Sequence, residues 1–187
     1  MLSGHLGHFL DGPMSSLARK LDINPNVLTV TGFLVSTIAA LTIPSSLFLG
    51  GTLVLIGGAF DVFDGIIARV NNRTTPFGAF LDSVLDRYSD SFLFLGLSWH
   101  FYRADSPGGV FLSLGTMTGA LLVSYTRARA EGLGKTCNVG LMERPERIIL
   151  LALGAITGWI LPVMWLMFVL THATVLQRIY HVWKVTR

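Results

Sequence analysis

Five aspartates, Asp61, Asp64, Asp82, Asp86 and Asp90, fall inside stretches that are otherwise strongly apolar. An ionisable side chain in a lipid-spanning helix costs about 2.5–3.5 kcal/mol on insertion scales, so it persists only when paired, wetted or bound to an ion. Asp61 and Asp64 are spaced to share one helix face. Asp82, Asp86 and Asp90 recur every four residues and form a stripe that climbs about one turn per step. Hard carboxylate oxygens on facing helices suit Mg²⁺ or Mn²⁺, and four of them can hold two ions about 3.5–4 Å apart. Such a pair would neutralise the buried charge and grip phosphates. The same spacing also admits a proton or cation relay in a transporter, or a lattice of ion pairs with Arg69 and Arg87.

The elements that must carry these residues have the composition of membrane helices. Of 187 residues, 13% are charged and 51% hydrophobic, where a soluble domain carries roughly 25% charge. The mean hydropathy is +0.60. Six apolar runs lie near residues 26–45, 48–70, 77–102, 108–129, 145–159 and 161–183. All but the fifth reach the roughly 20 residues that a bilayer crossing needs. None alternates as barrel strands do. The expected fold is therefore an all-α integral membrane domain over residues 1–187, with six transmembrane helices. A short amphipathic helix at residues 14–21, within the N-terminal segment 1–23, should precede them on the membrane surface. Asn24-Pro25 and Thr75-Pro76 each place a capping side chain before a first-turn proline, marking two helix starts.

Charge placement orients the chain. Twelve of the 14 Lys and Arg residues fall in connections or ends on one side, Arg103 falls on the other, and Arg87 lies within the third run. The positive-inside rule puts both termini in the cytoplasm. No basic segment followed by an apolar core suggests a cleavable signal peptide. Cys137, the one cysteine, reads as a small residue in a cytoplasmic loop. The net charge of +3 gives no reason to expect nucleic acid. The second run heads toward the cytoplasm and the third returns after a short turn, so the two are expected to pack as an antiparallel hairpin. Their carboxylates would meet in the cytoplasmic half of the bilayer. A transporter would favour the midplane, with broken helices or repeats. Gly65, Ala68 and Gly78 flank the aspartates and would allow close approach of a helix or a ligand.

Together these residues spell Asp61-x2-Asp64-Gly65-x2-Ala68-Arg69-x8-Gly78-x3-Asp82-x3-Asp86. The string resembles, without a departure, the signature of the CDP-alcohol phosphotransferase family, with eight fixed positions over 26 residues. The resemblance implies a six-helix membrane enzyme of phospholipid biosynthesis, usually a homodimer, with its active site open to the cytoplasm. Such an enzyme moves a phosphatidyl group from a CDP-linked lipid to an alcohol and releases CMP. It implies further that Asp61, Asp64, Asp82 and Asp86 bind two divalent ions, Mg²⁺ or Mn²⁺. By the same resemblance Asp86 is the general base for the acceptor hydroxyl. Gly65, Arg69 and Thr75 match donor-contacting positions, and Asn24, Pro25 and Asn26 fall in a segment near the nucleotide. Asp90 lies outside the signature and reads as an ion-pair partner or a support to the other carboxylates.

The fourth-to-fifth connection runs Ser124-Tyr125-Thr126-Arg127-Ala128-Arg129-Ala130-Glu131 and closes on Glu143-Arg144-Pro145-Glu146-Arg147. It is similar to that of bacterial phosphatidylinositol phosphate synthases and their archaeal ether-lipid counterparts, which implies inositol phosphate as the acceptor. Guanidinium binds a phosphate dianion bidentately, and the resemblance places that phosphate near Arg127, Lys135, Arg144 and Arg147. Glycerol 3-phosphate, the acceptor of a phosphatidylglycerol phosphate synthase, is the alternative. An ion transporter is the remote one.

Overall fold

The computed structural model describes residues 23–71 and 73–187, so the surface helix expected at 14–21 lies outside the described residues. Six α-helices and no strand occur among those described: α1 (Pro25–Thr42), α2 (Leu47–Val70), α3 (Pro76–Arg103), α4 (Pro107–Glu131), α5 (Arg144–Thr157) and α6 (Ile160–Val185). Each lies within a few residues of an expected apolar run.

The helix starts follow from local chemistry. The Asn24 side chain accepts from the Asn26 amide at 3.0 Å, with Pro25 next in line. The Thr75 hydroxyl accepts from the Gly78 amide at 3.0 Å ahead of Pro76. Each cap satisfies one of the amides that an N-terminal turn leaves unpaired. Gly158, with φ 76°, terminates α5 in the left-handed conformation that glycine adopts without penalty.

The chain is a membrane protein, and its surface reflects this. Val27, Leu34, Ile38 and Leu41 form an exposed apolar stripe on α1, while Asp64, Asp90, Arg147 and Arg178 are buried. Helices α1, α4 and α6 are long and apolar enough to cross a membrane by length and composition. Helix α5, at 14 residues, spans about 21 Å at 1.5 Å per residue, short of a hydrocarbon core of about 30 Å.

Helix packing closes a ring in the order α1, α2, α5, α6, α4, α3. The expected α2–α3 hairpin is not formed, because α1 packs along both helices and α2 and α3 face each other at a distance. Opposed rows of carboxylates explain the separation, since direct packing would press like charges together in a low dielectric. The core that holds the ring is a cluster including Ile43, Val54, Leu93, Phe94, Leu151 and Met164. Ile66 and Ile67 form a second, smaller cluster with Leu28 and Val70, next to the aspartates.

The α1–α3 seam depends on one missing side chain. A Cβ at Gly96 would stand 2.3 Å from the carbonyl oxygen of Ala40. Backbone cannot yield as a flexible side chain does, so Gly96→Ala should destabilise the fold by about 1–3 kcal/mol. Thermal unfolding in detergent tests this. An unchanged midpoint would mean that the seam widens freely.

Candidate active site

The aspartates reach the site from opposite sides of the ring. Asp61 and Asp64 come from the C-terminal half of α2, where α1 backs them. Asp82 and Asp86 come from the N-terminal half of α3 and Asp90 from its middle. Asp64 is buried, and the Thr29 hydroxyl donates to its Oδ2 at 2.6 Å. That bond fixes one carboxylate before any ligand arrives. Thr29 was not singled out from the sequence, although it lies one turn beyond Pro25 on the helix whose start was.

The two arginines nearest these carboxylates come from α5. Arg144 Nη1 lies 2.5 Å from Asp61 Oδ2 and 2.8 Å from Asp86 Oδ1, and Arg144 Nε lies 3.6 Å from Asp90 Oδ1. Arg147 Nη2 lies 2.6 Å from Asp90 Oδ2. Arg87, one of the two arginines considered for an ion-pair lattice, approaches Asp86 at 3.7 Å and donates to the Ser83 carbonyl at 2.6 Å.

Two cavities flank the cluster. The smaller, of about 160 Å³, is lined by Pro25, Asn26 and Thr29 from α1, by Asp64, Gly65, Ala68 and Arg69 from α2, and by Thr75, Gly78 and Asp82 around the start of α3. Five of the six residues expected to contact a donor therefore converge: Pro25, Asn26, Gly65, Arg69 and Thr75. Asn24 does not line this cavity, because its side chain is turned back as the α1 cap. Gly78 keeps the cavity open. A Cβ there would sit 3.0 Å from both Asn26 Oδ1 and Thr75 Oγ1.

The larger cavity, of about 1100 Å³, lies between α3, α4, α5 and α6. Asp86, Asp90, Arg127, Arg144, Arg147 and Arg178 are among its lining residues. Three of the four expected acceptor residues meet here. Lys135 does not. The chain reverses after α4, with the Lys135 amide bonded to the Ala130 carbonyl at 3.0 Å, and this leaves Lys135 exposed and outside the lining.

Arg178 is the residue that the sequence left among the terminal charges. It is fully buried. Its Nε donates to the Val139 carbonyl at 2.8 Å, its Nη1 to the Val123 carbonyl, and its Nη2 to Glu143 Oε1 at 3.2 Å. It thus ties α6 to α4 and to the segment that leads into α5. The Glu143 carboxylate it holds stands 3.8 Å from Arg127 Nη1. An arginine inside the apolar run of the last helix was the available signal. Cys137, within the same segment, is also buried.

Among the described residues, no three carboxylate, histidine or cysteine side chains converge at metal-ligating range. The donor set nevertheless suits a divalent cation. Its oxygens are hard carboxylate donors, and two of them, from Asp61 and Asp86, already share one cationic group in Arg144 Nη1.

Residues 22–177 match the family model for CDP-alcohol phosphatidyltransferase. An archaetidylinositol phosphate synthase of Methanothermobacter thermautotrophicus is 38% identical over 176 residues, covering 90% of this chain and 87% of that protein. A phosphatidylinositol phosphate synthase of Mycobacteroides abscessus is 36% identical over 185 residues, covering 92% and 83%. The crystal structure of the Mycobacterium tuberculosis phosphatidylinositol phosphate synthase with CDP-DAG bound superposes with a TM-score of 0.82 at 33% identity, covering 93% of this chain and 94% of that one. The same enzyme in complex with manganese and citrate gives a TM-score of 0.81.

Proposed function

The chain belongs to the CDP-alcohol phosphatidyltransferase family of enzymes, and from that premise we propose that it transfers a phosphatidyl-type group from a CDP-linked lipid to inositol phosphate, releasing CMP. The observation that carries this is the arrangement of the two cavities. One, lined by Asp64, Asp82, Gly65, Arg69 and Thr75, suits a nucleotide diphosphate. The other, lined by Asp86 and several arginines, suits a phosphorylated polyol.

In this proposal Asp61, Asp64, Asp82 and Asp86 would hold divalent ions, Mg²⁺ or Mn²⁺, which when bound stabilise charge on the diphosphate and on departing CMP. Arg69 and the small residues Gly65 and Gly78 seat the CDP portion. Arg127, Arg144 and Arg147 receive the acceptor phosphate. Asp86, at the border of the large cavity, takes the proton of the acceptor hydroxyl. The hydroxyl oxygen then bonds to the lipid-side phosphorus. The bond from that phosphorus to the bridging oxygen breaks, and CMP leaves with the electron pair.

Six crossings are proposed from the six apolar runs, with the short α5 as the weakest of them, and the excess of Lys and Arg on one side supports cytoplasmic termini and a cytoplasmic active site. A homodimer is proposed from the family resemblance.

The test is acceptor-dependent CMP release by purified protein in detergent with Mg²⁺, given CDP-diacylglycerol or its diether analogue. Inositol phosphate should support release, whereas serine and free inositol should not. Release with glycerol 3-phosphate alone would keep the chemistry and replace the acceptor. Silence with every donor and acceptor would sink the proposal.

A further inference from the structure

Asp90 is the one carboxylate of the α3 stripe that the family signature leaves without a task. It lies one turn beyond Asp86 and is buried. Each of its oxygens faces a different arginine of α5, Oδ2 toward Arg147 Nη2 at 2.6 Å and Oδ1 toward Arg144 Nε at 3.6 Å. All three residues line the large cavity.

The two arginines depend on it unequally. Arg147 is 2% exposed. Its other described bond is a long one, from Nη1 to the Met142 carbonyl at 3.5 Å, and its Nε has no partner. A buried guanidinium held this way needs a counter-charge to stay in place. Arg144 is drawn by Asp61 and Asp86 through Nη1, while its Nε, which makes no hydrogen bond, is left toward Asp90. The carboxylate therefore sits where it can hold both forks side by side on the first turn of α5.

Resting on the proposed function, we propose that Asp90 is a positioning residue for the acceptor, holding Arg144 and Arg147 as a paired phosphate-binding fork. It acts through those arginines. It touches neither the donor nor a metal ion, since it lies one turn beyond Asp86, lines the large cavity and is absent from the small one.

The experiment is Asp90→Asn in the full chain, purified in detergent. The acceptor KM for inositol phosphate should rise at least about tenfold, the cost of misplacing a charge-assisted hydrogen bond. The donor-induced rise in thermal midpoint and the Mn²⁺ affinity measured by electron paramagnetic resonance should not change. In an Arg144→Ala/Arg147→Ala background, Asp90→Asn should add nothing further to the acceptor KM, because residues acting through one another are not additive. A purely structural role would instead lower donor and Mn²⁺ binding in step with acceptor binding, and that result overturns the proposal. If Asp90→Asn does not survive purification, Asp90→Glu carries the same test, since it keeps the charge but shifts the grip by one methylene. A wild-type KM in that variant also overturns it. Wild-type protein inactive with phosphorylated acceptors sinks the proposed function and this inference together. An active wild type with an unmoved KM in Asp90→Asn sinks this inference alone.

Discussion

Replacing Asp86 with asparagine is expected to leave a folded membrane protein whose transfer rate falls by about 10²–10⁴-fold, the usual contribution of a positioned general base. Among the four signature aspartates, only Asp86 lines the large cavity; Asp64 and Asp82 line the small one. A group on the acceptor side is the one placed to take the acceptor proton. The amide has nearly the same shape as the carboxylate and removes one of several clustered negative charges. Arg144 keeps Asp61 at 2.5 Å as a counter-charge, so the fold has little reason to fail.

The contrast with Asp64→Asn separates base from ligand. Asp64 faces the small cavity and accepts from Thr29 at 2.6 Å, so its loss should weaken Mn²⁺ and donor binding together. Asp86→Asn should weaken them less while cutting turnover by about 10²–10⁴-fold. Mn²⁺ titration and donor-induced thermal stabilisation, run beside single-turnover CMP release, read both. If Asp86→Asn loses Mn²⁺ affinity as severely as Asp64→Asn, its part is that of a ligand alone. If it turns over like wild type, the base lies elsewhere.

The aspartates were legible in the sequence because burial in lipid makes charge expensive, and expense singles residues out. Helix starts were legible because Asn24-Pro25 and Thr75-Pro76 are local chemistry. The ring order was not. An exposed surface such as the Val27–Leu34–Ile38–Leu41 stripe is as apolar as the packed faces, so apolar patterning says little about which helices are neighbours. The expected α2–α3 hairpin rested on the short turn between the two helices, and a short turn joins their ends without pressing their lengths together; α1 packs along both instead. Arg144 and Asp61 are 83 residues apart, and Arg147 and Asp90 are 57 apart. No spacing rule reaches across such separations. The burial of Arg178 and the exposure of Lys135 were hidden for a related reason, since only the depth of α6 and the reversal after α4 decide which cation lines the large cavity.

Arg144→Ala should have the second large effect, raising the KM for inositol phosphate about 10- to 150-fold, as expected for losing a charge-assisted hydrogen bond worth about 1.5–3 kcal/mol. Its guanidinium is the only group described that approaches Asp61, Asp86 and Asp90 together. Arg144→Lys should recover only part of the loss, because an ammonium keeps the charge but cannot present a planar fork. Arg147→Ala makes the useful comparison. That side chain is almost fully buried against Asp90, and stripping one partner from a buried pair costs about 3–5 kcal/mol, so its penalty should appear first in thermal stability. If phosphate recognition is the cause in Arg144→Ala, inorganic phosphate should also lose its power to compete with the acceptor, while the KM for the CDP-linked donor stays near wild type. A variant that weakens donor binding and leaves phosphate competition intact would move Arg144 to the nucleotide side of the site, and the acceptor pocket would have to be sought away from the first turn of α5.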